Sequence, residues 1–530
     1  MNPSTIHQRI PKPPLARWRS LHAPLAAALA LAAAIGFAGA SSAQESMEAK
    51  IEALVPDLEA YIESGMKAFD DPGLAIGIVA GDKLVYAEGF GVKRKGGEPV
   101  DTATVFQIGS TTKAFLATTM AIGVDRKEFA WDDRVVDLYP DFQLKDAWVT
   151  REFRMFDLLA QRSGLPPYAN DVYGMLGADD DQKIHSLRYI DPVSSFRSTF
   201  AYTNITHILA QRIVAKQAGA QDWDTVVRTA IFEPLGMKNS SLTADAIESA
   251  SNRTWGYRWT PDGTVEVPFT PIFPYGFGGA GAINSTIEDL SRWVRLQLAN
   301  GEFEGKRVVS EENLAVTRMA RVAIGDKAAY AMGWLIQSTP NGNITWHNGG
   351  TTAYGAYIGM ARDKDIGVIV LTNETNMGFP DAVGEWTLDR LMGNPEVDHV
   401  AAKLAAAKKG AAAGDALFAK PENARPAPPF APFTGTFANP VFGEATLTEA
   451  NGGLDVALAS TGATLRLDPW DGDILTLSLV PIGPMEAISA NVGPGPMAFA
   501  QFQTDTSGKL NLLEVAFTEN GQTFLFTRQK

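Results

Sequence analysis

Phe106-Gln-Ile-Gly-Ser-Thr-Thr-Lys-Ala-Phe115 is the stretch on which the reading of the whole chain turns. It sets Ser110 and Lys113 three positions apart, directly ahead of the run Ala114-Phe-Leu-Ala-Thr-Thr-Met-Ala-Ile122. That run is apolar on all sides, which suits a helix buried in the middle of a domain. With the helix starting at Ser110, positions i and i+3 share a face and the hydroxyl can meet the amine. The partial positive charge of a helix start, together with desolvation, disfavours an ammonium there. Lys113 is therefore predicted to shift towards its neutral, proton-accepting form, the partner a serine needs to become a nucleophile. Spacing alone does not define a site, since Ser64-Gly-Met-Lys67 repeats it at the end of an ordinary amphipathic helix. A helix cap beside a snorkelling lysine is the plain alternative unless other parts of the chain answer Ser110.

Working outward, 530 residues exceed one core and predict two domains or more. Arg9, Lys12, Arg17 and Arg19 precede the uncharged run from Leu25 to Phe37, and small residues end at Ala40-Ser-Ser-Ala43. Residues 1–43 read as a signal peptide cleaved after Ala43 or Ala40, giving a periplasmic or secreted protein. The run is short and alanine-rich for a stable membrane anchor. With no cysteine in the chain, thiol catalysis and disulfides are excluded and the fold rests on its core. Removing the four basic residues of the leader takes the net charge from −14 to −18. An acidic body without a basic cluster argues against nucleic-acid partners and anionic membrane surfaces. The chain has no His-Glu-x-x-His, no phosphate-binding Gly-x-x-x-x-Gly-Lys-Ser/Thr and no Gly-x-Ser-x-Gly. Gly276-Phe-Gly-Gly-Ala-Gly281 follows the proline-broken loop Pro268–Pro274 rather than a strand, so it reads as a close turn and not a dinucleotide site. Asp179-Asp-Asp181 reads as a solvated helix start. No metal and no cofactor are expected.

In chain order, Met47 to Phe69 is an amphipathic helix, and Leu74 to Val92 reads as two strands about a Gly81-Asp82 turn. A helix near Phe156–Gln161 stops at Ser163-Gly-Leu-Pro-Pro167. Tyr202 and Asn204 sit at the start of a helix running to Val214, and Trp223 to Phe232 forms another. Ser285-Thr-Ile-Glu288 reads as a capping box for the helix carrying Trp293. Strand-like runs follow at Ile344–Asn348, Tyr354–Ala361 and Ile366–Thr372. Strands near both ends with helices between predict an α+β domain over residues 46–400, its mainly antiparallel sheet flanked by helices and accompanied by a helical subdomain. Residues 401–429, alanine- and lysine-rich and then proline-rich, read as a linker. Residues 430–530 show period-two runs at Ala445–Thr448, Leu454–Leu458, Leu475–Leu479, Ala498–Phe502 and Phe524–Arg528, separated by glycine turns. They predict a small all-β, barrel-like domain of structural or assembly role.

Three motifs in order, Ser110-Thr-Thr-Lys113, Tyr202-Thr-Asn204 and His347-Asn-Gly349, resemble those of the serine β-lactamase and penicillin-binding protein superfamily. The likeness is to its class C branch, with the related esterases and D-amino-acid peptidases, and it spans roughly residues 47–395. Arg162-Ser-Gly-Leu-Pro166, Phe232-Glu-Pro-Leu-Gly-Met237 and the run Gly279 to Leu290 match alongside. The tail resembles the lipocalin-like domain behind some of these hydrolases. By this resemblance Ser110 attacks an acyl carbon, Lys113 and Tyr202 share the general-base work, and Asn204 holds Lys113 or the substrate amide. Backbone N–H groups of Ser110 and Gly350, at the end of the strand carrying Gly349, would form the oxyanion hole. Tyr168-Ala-Asn170 also spells Tyr-x-Asn, but it trails a Pro-Pro turn and precedes no clear helix. His207 reads as a packed helix residue.

Where the family mostly keeps lysine, this chain has His347, largely neutral at pH 7. That moves weight from dedicated antibiotic resistance towards a hydrolase of esters, amides or D-amino-acid peptides, with β-lactams still among the substrates considered. A slowly turning-over penicillin-binding protein, or an inactive scaffold whose barrel binds the ligand, are the alternatives. The expected partner is a small molecule or short peptide, and homo-oligomerisation is left open.

Overall fold

The structure, a computed structural model, describes residues 46–518 and 521–530. The signal-peptide assignment lies outside the described residues. Eight strands form one antiparallel sheet: β1 (Gly73–Ala80), β2 (Lys83–Gly91), β3 (Val322–Ile324), β4 (Ala328–Tyr330), β5 (Leu335–Thr339), β6 (Gly342–Gly350), β7 (Gly355–Ala361) and β8 (Ile366–Thr372). Their order is β2-β1-β8-β7-β6-β5-β4-β3, so the first strands of the chain pair with the last of the domain, Leu74 facing Thr372.

Every residue of β1, β7 and β8 is buried, because helices cover both faces of the sheet centre. This explains why these strands read as continuous apolar runs rather than alternating ones. Leu74, Ile76, Ile78, Val368 and Val370 point to one side, into a core shared with α1 (Met47–Phe69). Ala75, Val79, Ile369 and Leu371 point to the other, into the core that holds α2 (Thr112–Asp125). Residues Thr112 to Gly123 of α2 are all buried, as the unbroken apolar run predicts.

The helical subdomain contains α3 (Asp171–Met175), α4 (Asp180–Ser186) and α5 (Ile205–Gln217). Asp179 caps α4, accepting from Gln182 N, which is the solvated helix start read from the sequence. The capping box ahead of α6 (Ile287–Leu298) needs a correction of one residue. Thr286 is the cap, accepting from Asp289 N, while Ser285 lies in a two-residue strand and bonds Ser240 instead. Two helices follow the sheet, α7 (Phe379–Met392) and α8 (His399–Phe418).

The segment read as a linker is thus helical through Phe418, and its first half is docked. Val400 and Ala407 are buried, Val400 N donates to the Tyr61 hydroxyl, and His399 lies between Glu385 and Asp389. Burial depresses the His399 imidazole, but the two carboxylates outweigh it and raise its pKa to about 9.

Residues 435–528 close into an eight-stranded barrel: β9 (Gly435–Asn439), β10 (Gly443–Ala450), β11 (Gly453–Leu458), β12 (Thr464–Asp471), β13 (Ile474–Leu479), β14 (Ala498–Thr504), β15 (Leu510–Phe517) and β16 (Thr523–Arg528). A short helix, α9 (Met485–Val492), interrupts the barrel between β13 and β14. Side chains such as Phe442, Leu467 and Phe526 fill the interior, leaving about 20 Å³. That is room for no more than about one water, so the barrel interior does not accommodate a ligand.

Beside the start of β1, Asp71 and Glu374 are buried together, and burial raises the pKa of both carboxyls. Asp71 Oδ2 and both Glu374 oxygens meet no donor from another residue, a situation that a proton held between the two carboxyls relieves. A carboxyl that keeps its proton only when folded loses stability as pH rises above the ordinary carboxylate range, because the unfolded chain then binds fewer protons. The double variant Asp71→Asn, Glu374→Gln is therefore expected to flatten the fall of Tm between pH 5 and pH 8, roughly, in a thermal melt series.

Candidate active site

Ser110 enters on the single turn Gly109–Thr111 that leads into α2. Gly109 takes φ +51°, and a methyl group there would lie 2.7 Å from Gly350 N. A methyl group on Gly349 would lie 1.9 Å from the Ile108 carbonyl oxygen. Two glycines therefore let the end of β6 close directly on the turn that carries Ser110, and this contact brings the first and third motifs together.

Lys113 is fully buried and its Nζ has three partners: Ser110 Oγ at 3.0 Å, Asn204 Oδ1 at 2.7 Å and the Ala280 carbonyl at 2.8 Å. The two carbonyl oxygens occupy both N–H bonds of a neutral amine, which leaves its lone pair for the Ser110 hydroxyl. Burial lowers the Lys113 pKa to about 7, opposed by the Asp171 carboxylate. Asn204 stands at the start of α5, its amide orientation fixed by donating to Asp171 Oδ2 at 2.6 Å. The glycine-rich turn is helical over Tyr275–Ala280, and Gly278 within it takes φ +45°. Its contribution to the site is the Ala280 carbonyl on Lys113.

Tyr202 places its ring 4.7 Å from Lys113 Nζ. Burial, with Tyr330 adding to it, pushes the phenol well above its usual pKa, and the hydrogen bond with Ser110 offsets this only in part. At neutral pH Tyr202 is a phenol and Lys113 is the group able to accept a proton. Gln161 secures this segment, accepting from Thr203 N at 2.6 Å.

His347 is buried on β6, with Nε2 3.0 Å from the Tyr330 hydroxyl and Nδ1 against the Asn348 carbonyl. Burial, then Lys113, lowers its pKa to about 3, so it is an uncharged wall of the site. His207 is packed inside α5, its pKa lowered well below the ordinary value, chiefly by burial. Ser64 is exposed on α1.

Ser110, Tyr202, Asn204, His347 and Gly350 all line one cleft of about 400 Å³, the lower end of the range for small-molecule sites. Among the lining residues that sequence reasoning did not place in the site are Asp171 and Tyr330, together with Tyr168, which it had set aside. Asp171 follows Asn170, which has left-handed φ at the start of α3, so the Tyr-x-Asn decoy marks a cleft wall after all. The rings of Tyr168 and Tyr202 lie 5.6 Å apart.

Asp381 is buried behind β6. It accepts from Asn348 Nδ2 at 2.7 Å and from Asn376 Nδ2 at 3.0 Å, and Asn376 also donates to the Gly349 carbonyl at 2.9 Å. Asp381→Ala is expected to loosen the strand end beside Ser110 and lower kcat about tenfold to a hundredfold with little change in KM, measured by steady-state ester hydrolysis.

A helix-flanked antiparallel sheet with a serine–lysine pair against the end of one of its inner strands defines a β-lactamase/transpeptidase-like fold. Residues 58–391 match the family described as Beta-lactamase, and the chain belongs to that family. The unguisins hydrolase of Aspergillus violaceofuscus is 25% identical over 492 residues, covering 83% of this chain and 86% of its own. Penicillin-binding protein 4 of Amycolatopsis lactamdurans is 27% identical over 318 residues, 57% of this chain and 81% of its own. Among solved structures, the octameric penicillin-binding protein homologue from Pyrococcus abyssi superposes with TM-score 0.59 at 21% identity, covering 89% of this chain and 100% of its own. The class C β-lactamase from Rhodobacter sphaeroides gives TM-score 0.53 at 23% identity, over 63% and 98%. At these identities the two structures speak to the fold alone.

Proposed function

We propose that this member of the family is a serine hydrolase that cleaves ester or amide bonds of substrates without a carboxylate, D-aminoacyl amides among them, through an acyl-Ser110 intermediate. The observation that carries the reading is the trio of contacts that holds Lys113 Nζ 3.0 Å from Ser110 Oγ; in its neutral form, with both N–H bonds on the Asn204 and Ala280 carbonyl oxygens, the amine has its lone pair left for the hydroxyl. Lys113 takes the Ser110 proton as Oγ bonds to the acyl carbon, and the N–H groups of Ser110 and Gly350 receive the developing oxyanion. The resulting ammonium returns the proton to the leaving alkoxide or amine. Water then adds to the acyl-enzyme with Lys113 again accepting a proton, and the product acid departs as Ser110 recovers its own. Tyr202, protonated throughout, donates to the reacting oxygens.

Lys113 is consumed by this role, and His347 is neutral. Among the residues lining the cleft no lysine or arginine is present to meet a substrate carboxylate, which supports neutral substrates over anionic ones. The likeness to an unguisins hydrolase supports hydrolysis in general terms. Export to the periplasm or beyond belongs to the same reading and rests on residues 1–43.

The direct test is intact-mass detection of a fluorophosphonate adduct on the wild type and its absence from Ser110→Ala. Multiple turnover of a short ester is the expected companion result. Fast acylation with a trapped acyl-enzyme would replace the reading by that of a penicillin-binding protein.

A further inference from the structure

The filled barrel interior directs attention to what the barrel touches. On one side Phe442 meets Tyr173 edge-on at 5.2 Å, and Gln182 donates to the Ser460 carbonyl at 3.2 Å. On the other side α9 inserts one buried polar side chain, Asn491, between two segments of the hydrolase domain. Asn491 Oδ1 accepts from Thr352 Oγ1 at 2.7 Å, and Nδ2 donates to the Pro268 carbonyl at 2.8 Å and to Ala487 O at 2.7 Å. Asn491 is 4% exposed, so these bonds are made away from water, where losing one leaves a partner unsatisfied.

Both segments lead directly into the cleft. Thr352 stands two residues after Gly350, in a tight turn closed by Thr351 N on the Tyr354 carbonyl at 3.0 Å. The Thr352 carbonyl is itself held by Thr375 Oγ1 at 2.6 Å. Pro268 opens the loop that carries Phe273 and Phe277 into the cleft wall and ends at Ala280, whose carbonyl holds Lys113.

We propose that Asn491 is a positioning residue through which the C-terminal barrel fixes the geometry of the catalytic cleft. The barrel acts as a brace: it sets the separation between the wall that supports Lys113 and the strand end that presents Gly350. This rests on the serine-hydrolase reading above and assigns the barrel a part in that reaction.

The test uses the full-length chain and p-nitrophenyl acetate. Asn491→Ala is expected to lower kcat about tenfold, since a displacement of about an ångström at the reacting groups has effects of that order or more. Thr352→Val, which removes only the hydroxyl, is expected to lower kcat in the same direction, and Thr352→Ser to restore it. The double variant is expected to be no slower than Asn491→Ala alone, because both changes break one coupled contact. Gln182→Ala, which removes a barrel contact made by a residue that neither lines the cleft nor bonds a residue lining it, is expected to keep the wild-type kcat. A general loosening of the barrel would lower Gln182→Ala as well and would not be rescued by serine.

Wild-type kcat and KM, within about twofold, in both Asn491→Ala and Thr352→Val would overturn the brace while Ser110-dependent turnover leaves the hydrolase reading in place. A wild type without Ser110-dependent turnover would remove both. Should Asn491→Ala fail to fold, the Thr352→Val and Thr352→Ser pair decides the matter alone.

Discussion

Ser110→Ala is expected to lower ester turnover by about ten-thousandfold to a millionfold, the range seen when an activated serine is removed from a working constellation. Nothing else in the cleft can replace it. Tyr202 is held as a phenol by burial, and His347 is packed between Tyr330 and its own backbone. The change removes one oxygen at a half-buried position beside Gly109, so folding is expected to be intact and the loss to fall on kcat. Steady-state kinetics and intact mass on the same samples check this. Ser64→Ala, altering an exposed residue of α1, is expected to leave the rate unchanged. The opposite pattern would mean that the nucleophile is the wrong serine.

Lys113→Met is expected to cost about a thousandfold or more, at the upper end of what a general base contributes. Methionine fills much of the same buried volume without a basic nitrogen. The wild-type pH profile carries the finer prediction. With the Lys113 pKa at about 7, kcat/KM should rise as pH passes through that value and then level off. Tyr202, titrating well above its usual range, should impose no fall at mildly alkaline pH. The contribution of Lys113 to stability should move the same way, read as the difference in Tm between wild type and the Met variant, because the Asp71–Glu374 pair and His399 contribute slopes of the opposite sign to both. Burial of Lys113 puts its folded pKa below the ordinary 10.5, so between about 7 and 10.5 the unfolded chain binds more protons and stability rises with pH. Both dependences should disappear in the Met variant, which ties the kinetic and the thermodynamic titration to one amine.

Much of this arrangement was legible in the sequence because it is encoded in short range. The serine–lysine spacing and the featureless apolar run of α2 each reflect a local demand of the fold. Asp171 was not legible, since it acts on Asn204 across 33 residues and belongs to a helix of only five. Tyr330 escaped notice because β4 is three residues long, too short for any period to register. In the barrel, five runs of alternating residues gave strands. β12 was hidden by Pro469 and an irregular register beside it, β9 by the small residues on its outer face, and β15 by Leu512 and Leu513 in succession, which break the alternation. The docking of α8 depends on Val400 and Ala407, two positions that an alanine-rich composition does not single out.

The pairing of β1 with β8 joins segments about 300 positions apart, Leu74 opposite Thr372. Closing so large a loop is slow relative to forming local turns and helices. The strand that carries Gly349 and Gly350 follows Ser110 by about 240 residues, so during synthesis the cleft stays incomplete until more than half of the chain has been made. Catalytic competence is therefore a late event in the life of each molecule.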